Sequence, residues 1–402
     1  MSPSKRSLVC QLITTKVGRA LIATHNLTDY AGSEIFTLEL ATELREMGWE
    51  VWVAAFLSGE PMASEFEKLG FRIFDILAAD SVISNAKFDL AWIHHTPVFY
   101  ELFLTNKIEA AMVVFCSLSP FEPLEAVPAY RGNLDLLLAN SIENRNFITK
   151  ELGLKSDQVV VFQNAVPHIY WDYLKEFHSP VLRSIAVISN HPPLEVLEAA
   201  AILKGNGVDV THIGRGGTPM LMSPNHLLNY DAVITIGKTV PYCFALKVPV
   251  YCYDHFGGPG WFNEDNFDLA SQNNFSGRGF LKKSPETIFQ EIVNGYCGSV
   301  RRLDVYRNHA MNSHNLGKNL ELLFSQPRMP LPKQLNVTDS KQTLKQHAQY
   351  MRLAKILSVR EAELSACNKE ISRVKSTFSW RLTAPFRVAY NFIRRIWASA
   401  DN

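Results

Sequence analysis

The residues best placed to do chemistry in this 402-residue chain gather between 231 and 261. The run Ala232–Ile236 is apolar and β-branched, as a buried parallel strand should be. It breaks at Gly237-Lys238-Thr239, opens a helix that carries Tyr242, and is followed by a second buried run, Val248–Tyr253. A strand that stops at glycine and starts a helix aims free backbone N–H groups at whatever lies above the sheet edge. That is an anion site, and Lys238 adds a full positive charge beside it. It is not a Walker loop, because Ala232 and Val233 stand where the upstream glycine belongs. The stretch Asp254-His255-Phe256-Gly257-Gly258-Pro259-Gly260-Trp261 then reads as a loop at the carboxyl edge of the sheet, where doubly wound proteins hold ligands.

Other candidates lie further off. Ala31-Gly32-Ser33-Glu34 is a glycine turn entering a helix, where only a small residue lets backbone approach a phosphate or sugar; Gly32 and Ser33 are the positions for that contact. His94-His95 closes an apolar strand, and His95 is the candidate catalytic group, since imidazole bonds hydroxyls and titrates near neutrality. The pair has no third ligand at a recognisable spacing, so a metal site is not expected. Arg215 sits in the turn His212-Ile213-Gly214-Arg215-Gly216-Gly217.

These positions need a scaffold. Arg19–His25, a helix from Glu34 to Met47 closed by Gly48, and Trp49–Ala55 make a βαβ unit. Further strands fit Arg72–Ile76, Leu90–His94, Ala111–Phe115, Leu134–Ala139 and Val159–Gln163. A second set fits Arg183–Ser189, Val208–Gly214, Ala232–Ile236 and Val248–Tyr253, with helices at Pro193–Lys204 and Pro285–Gly295. The expected class is α/β, with Rossmann-like doubly wound domains over 1–175 and 176–324. A proline-rich linker at 325–340, a heptad-patterned helix at 341–377 and a basic amphipathic tail at 378–402 follow. The apolar seam runs Tyr350, Leu353, Leu357, Leu364, Cys367, Ile371, Val374, Phe378, interrupted by Arg360, which leaves open a coiled coil between chains or a helix packed on the body.

Charge divides the same way. Residues 341–402 hold 12 Lys or Arg against 4 Asp or Glu, a net +8, so with the chain at +1 the first 340 residues carry −7. That excludes a nucleic-acid-binding body and points the tail at an anionic surface. In the tail Arg381, Arg387, Arg394 and Arg395 interleave with Trp380, Phe386, Tyr390, Phe392 and Trp397, a pattern suited to a membrane interface. Six scattered cysteines without a CxxC pair indicate a reducing compartment. With no apolar stretch of about 18 residues and no signal-peptide core, a cytoplasmic protein is expected, peripheral on the inner face of the membrane.

Residues 19–324 resemble GT-B glycosyltransferases, most of all the bacterial family 4 type that builds surface polysaccharides and O-antigen. The glycine turn and helix L-E-L-A-x-E-L-x-x-x-G-W-E-V, the strand ending in His94-His95, D-L-L-L-A-N-S and V-F-Q-N-A-V carry the first half of the likeness, with Ala165 in place of the family's glycine. The order of strand, Gly237-Lys238-Thr239, helix and strand carries the second. The tail S-W-R-L-T-A-P-F-R is similar to endings found in proteins of O-antigen assembly. The resemblance implies two Rossmann-like domains facing across a cleft, a nucleotide-diphosphate sugar in the second, no cofactor or metal, and a lipid-linked or polysaccharide acceptor entering across the first. Donor contacts fall to Arg215, Gly237, Lys238, Thr239, Tyr242, Asp254, His255, Gly257 and Gly258, with Trp261 available for stacking.

The chain departs from that family at the donor motif. Ile188-Ser189-Asn190-His191-Pro192-Pro193-Leu194-Glu195 stands where the family has G-R-x-x-x-x-K-G, and the paired glutamates are missing, the second falling near Tyr242. Arg215 and Lys238 are the replacement cations. Loss of the standard set leaves a second reading open, a non-catalytic GT-B-like scaffold in a glycan-assembly complex.

Overall fold

The computed structural model describes residues 18–78, 82–128, 134–326, 357, 359–360 and 363–383. Residues 1–340 form one compact unit and 341–402 another.

The described residues of the first unit hold two large sheets and a two-stranded parallel one that pairs Lys87–Phe88 with Glu109–Ala110. Strands β1 (Arg19–Leu27), β2 (Glu50–Ser58), β3 (Ile73–Asp75), β4 (Leu90–Ile93), β5 (Val113–Ser117), β6 (Leu136–Ala139) and β7 (Val160–Val161) lie in the order β3-β2-β1-β4-β5-β6-β7. Every pairing is parallel. Its first six strands follow the doubly wound order in which the chain reverses direction between β1 and β4, opening a crevice at their carboxyl ends. β1 is buried along almost its whole length, so both faces are covered and its sequence reads as a continuous apolar run rather than an alternation.

The second sheet is β8 (Ser184–Ile188), β9 (Asp209–Ile213), β10 (Ala232–Thr235), β11 (Val250–Asp254) and β12 (Gly257–Trp261), ordered β9-β8-β10-β11-β12. β12 is antiparallel and corrects the expected glycine-rich loop. Its glycines are there for packing. A Cβ on Gly258 would sit 2.3 Å from the Cys252 carbonyl oxygen, and one on Gly257, whose φ is +123°, 2.5 Å from that of Leu281. Trp261 is spent as well: its indole N–H donates to the Glu291 carbonyl at 2.9 Å and its ring lies against Gly295.

Five helices matter for the site. α1 (Gly32–Glu46) lies over the first sheet and ends before Gly48, which takes φ +90° as a left-handed cap should. α2 (Leu194–Gly205) and α3 (Thr239–Leu246) follow β8 and β10; α3 is apolar all round and buried from Val240 to Leu246. α4 (Pro285–Val300) covers the far face of the second sheet, with Ile288 and Ile292 in a core shared with Tyr251 and Tyr253. α5 (Leu316–Ser325) ends the described part of this unit. Its Leu316, Leu320 and Leu323 are buried in the first domain's core beside Leu40 and Leu44. The chain thus crosses back, and three leucines at roughly 1.5–3 kcal/mol each tie the last helix to the first domain.

In the second unit the described backbone is helical over 363–376 and at Phe378–Leu382. Its seam residues Leu364, Ile371 and Phe378 are exposed. Residues 384–402, which carry most of the basic aromatic tail, lie outside the described residues.

Candidate functional site

Between the two sheets is a cavity of about 560 Å³. Its second-domain wall is the carboxyl edge of β8, β9, β10 and β11, through Ser189, Gly214, Thr235 and Asp254. Its first-domain wall is the start of α1, through Gly32 and Ser33, and the loop after β5, through Leu118 and Glu125. Helices α1, α2 and α3 all begin on it. None of the three has a side chain capping its first turn, so their unpaired amides and positive ends meet the cavity. Gly237 makes the α3 start possible by taking φ +59° and giving its own N–H to the Phe275 carbonyl at 3.0 Å.

The structure brings Gly32, Ser33, Gly237, Lys238, Thr239, Tyr242, Asp254 and His255 together around this one cavity. It leaves out His95, Arg215, Gly257 and Gly258. Gly257 and Gly258 are consumed by strand packing. Arg215 is exposed, its nearest anion being Asp29 of the first domain at 3.6 Å.

Three of the assembled residues, Asp254, Lys238 and Tyr242, are already engaged. Asp254 is buried and braces the loops around it, accepting from the Phe256 N–H at 2.7 Å and the Gly277 N–H at 3.0 Å. Lys238 reaches across the cleft. Its ammonium pairs with Glu39 of α1, donates to the Ala165 carbonyl at 3.3 Å, and lies 4.9 Å from the Phe36 ring centre. The Tyr242 hydroxyl donates to the other Glu39 oxygen, and the Tyr242 ring stacks on Tyr170 at 4.3 Å. Burial pushes the Glu39 carboxyl up, and the lysine beside it pulls it back. Sequence reasoning missed Glu39. Between Leu38 and Leu40 it reads as the polar face of an amphipathic helix, and nothing local shows that the second domain covers that face.

His95 lies behind the cavity wall, 5% exposed. The His25 backbone N–H donates to its Nδ1 at 3.1 Å, and Thr24 Oγ1 is 3.2 Å from the same atom. Nδ1 is therefore the acceptor, and the neutral ring carries its proton on Nε2. Burial holds the imidazole neutral, well below its ordinary value. Nε2 faces Glu125 Oε1 at 3.9 Å. A ring whose lone pair is occupied and whose free nitrogen holds a proton is a donor, and it lies outside the cavity lining, so the expected direct action of His95 on the acceptor hydroxyl or the sugar does not fit its placement.

Glu125 is the acidic group that reaches the cavity from the first domain instead. It is buried, its Oε2 has no hydrogen-bond partner, and burial pushes its carboxyl up to about 8. Glu122 and Glu34 push it further in the same direction, while the backbone at Leu118 and Ser119 pulls it down. Its sequence context, F-E-P-L-E-A-V-P, gives one usable signal: an acidic residue in the loop at the carboxyl end of a parallel strand.

No family model and no curated protein sequence matches the chain. Solved structures do. Anabaena HepE in complex with UDP-glucose aligns over 76% of this chain and 100% of its own, with a TM-score of 0.52 and 12% identity. The complex of HepE with UDP and glucose gives 0.51 at 11% identity, over 76% of this chain and 98% of that one. TarM gives 0.52 at 10% identity, covering 78% and 99%. The fold is GT-B. At these identities what is shared is the path of the chain. Among the described residues no three His, Cys, Asp or Glu side chains gather as a metal site.

Proposed function

We propose that this chain is a glycosyltransferase that moves a sugar from a nucleotide-diphosphate sugar to a glycan acceptor in bacterial surface-polysaccharide assembly. The observation that carries the reading is the interdomain cavity, onto which three uncapped helix starts and the carboxyl edges of four parallel strands converge. Such an edge recognises a diphosphate by backbone N–H groups and helix dipoles. Those positive ends, with Lys238, take the part a divalent cation would otherwise play, so the transfer is metal-independent. HepE, of the same fold, is solved with UDP-glucose, which favours a donor of that class. The acceptor is lipid-linked, presented at the inner face of the cytoplasmic membrane where the basic tail holds the enzyme. The exposed seam of the tail helix pairs with a second copy.

One observation favours the other reading, a non-catalytic scaffold. Lys238 is the one lysine or arginine among the described residues lining the cavity, and Glu39 already holds it. The experiment is a thermal-shift screen of the full chain against UDP, GDP, CDP, dTDP and their sugars at millimolar concentration. A shift with one nucleotide, at about 100 times its Kd, corresponds to roughly 2.7 kcal/mol and supports the transferase. A folded protein that no nucleotide shifts is the scaffold.

A further inference from the structure

The transferase reading leaves open which group takes the proton of the attacking hydroxyl and on which face of the sugar it attacks. We propose that Glu125 is the catalytic base, that His95 positions it, and that transfer inverts the anomeric centre. This inference rests on the reading of the cavity as a nucleotide-sugar site.

Position comes first. Glu125 lines the cavity from the first domain, whereas the helix starts α2 and α3 belong to the second. Two of the three helix starts, with Lys238, thus face Glu125 across the cavity, as an in-line displacement requires, while the third, α1, shares its wall. The loop that carries Glu125 makes a single 3₁₀ turn at Pro123–Glu125 and is tied to the start of the preceding helix, where Thr96 Oγ1 donates to the Ala126 carbonyl. Oε2 of the buried carboxyl has no partner in the protein, and a buried acceptor without one is a standing cost unless a ligand meets it.

The chemistry balances without a further reagent. The acceptor O–H proton passes to the Glu125 carboxylate as the oxygen bonds to the anomeric carbon. The bond from that carbon to the phosphate oxygen breaks, and the nucleoside diphosphate leaves with its electron pair. His95 stays neutral, its Nε2–H facing Oε1 at 3.9 Å, longer than a hydrogen bond, so it limits where the carboxylate can turn without taking the proton. Every element around Glu125 contributes to its titration. Glu34 from α1 and Glu122 from its own turn disfavour the charge, and burial disfavours it most. Cys116 of β5 lies within electrostatic reach and stays a neutral thiol, its own value pushed up by burial. The neutral His95 adds no charge. A carboxyl titrating at about 8 is about one-tenth ionised at pH 7, so the rate rises with pH through that value.

The probe is hydrolysis of whichever nucleotide sugar shifts the melting point most, with water as acceptor, followed by nucleotide release and by NMR of the freed sugar. Glu125→Gln mimics the protonated side chain and keeps its shape. The expected result is a loss of turnover of about 10²–10⁴-fold with nucleotide Kd unchanged, an ascending pH limb near 8 in the native protein, and a sugar released first as the inverted anomer. Glu125→Asp should recover part of the rate. His95→Asn should move the pH limb while leaving nucleotide Kd unchanged, a change that a merely structural role would not produce. Turnover of Glu125→Gln within tenfold of native, a retained anomer, or nucleotide binding without hydrolysis overturns the assignment while leaving the nucleotide site intact. Absence of nucleotide binding removes the transferase reading itself.

Discussion

The Lys238–Glu39 pair makes the sharpest single test of how the two domains are held. Both side chains are almost wholly buried, 11% and 12% exposed, and both Glu39 oxygens are used, one by the ammonium and one by the Tyr242 hydroxyl. Removing the lysine charge by Lys238→Met leaves a carboxylate in an apolar pocket with a single neutral donor. Breaking a buried pair from one side costs about 3–5 kcal/mol, because the orphaned charge keeps its desolvation penalty. Removing both charges in Glu39→Gln/Lys238→Met removes the penalty too, and replacing a buried pair is often neutral or stabilising by 1–4 kcal/mol. The double variant should therefore be more stable than Lys238→Met, with a coupling of about 2 kcal/mol or more in a urea-unfolding cycle on the full chain. Nucleotide binding read in parallel adds a second axis. Glu39→Gln frees the ammonium and should tighten UDP binding, whereas Lys238→Met should weaken it about tenfold, some 1.4 kcal/mol. Additive losses in the cycle, with coupling under about 0.5 kcal/mol, would refute the argument that these two groups hold the interface together.

Two more predictions concern pH and self-association. Glu125 holds its proton up to about 8 in the folded chain, whereas an unfolded glutamate gives it up near 4.5, so folding is weakened as pH rises from 4.5 to 8. His94 and His314, held neutral by burial to about 3 and about 4, act in the opposite sense: unfolded histidines bind protons below 6.5, so stability falls as pH drops from 6.5 to 4. Chemical denaturation should show a maximum near pH 6, and Glu125→Gln should remove much of the loss on its alkaline side; an unchanged alkaline slope would contradict the burial argument. In the tail helix, Leu357, Leu364, Ile371 and Phe378 recur every seven residues, and Cys367 falls in the second seam position between them, exposed and unpaired. A parallel pairing of two chains sets Cys367 against its copy, so mild oxidation should give a disulfide-linked dimer that Cys367→Ser abolishes; a monomer after oxidation would count against self-association.

What the sequence shows here, and what it hides, divides by the range of the interaction. Every parallel strand of the two large sheets was legible to within three residues at each end, because a strand covered on both faces reads as apolar, and Ala232–Ile236 announces that locally; the short parallel pair Lys87–Phe88 and Glu109–Ala110 was not. β12 was not, since a strand of Gly257, Gly258, Pro259 and Gly260 has no strand propensity; it exists because only glycine fits against the Cys252 and Leu281 carbonyls, contacts made by other segments. The site followed the same rule. Gly237 and Lys238 declared themselves by a turn written in consecutive residues. Glu39 and Glu125 act through partners roughly 200 and 30 positions away, Lys238 and His95, so Glu39 has no local signature and Glu125 only its place in a loop after a parallel strand.

That difference bears on the missing donor motif. The family pattern places an arginine and a lysine after the first strand of the second domain, and this chain has neither at Ile188–Glu195. A substitute cation at Lys238 brings a new constraint, because it stands where α1 of the opposite domain carries a carboxylate. Glu39 pairs with the ammonium that a diphosphate would use. A donor entering this cavity must either displace Glu39 or bind through backbone amides alone, and each route leaves a different trace in the Glu39→Gln protein. Displacement predicts tighter binding once the carboxylate is neutral. Binding through amides predicts no change, and would assign Lys238 to holding the domains together rather than to the donor.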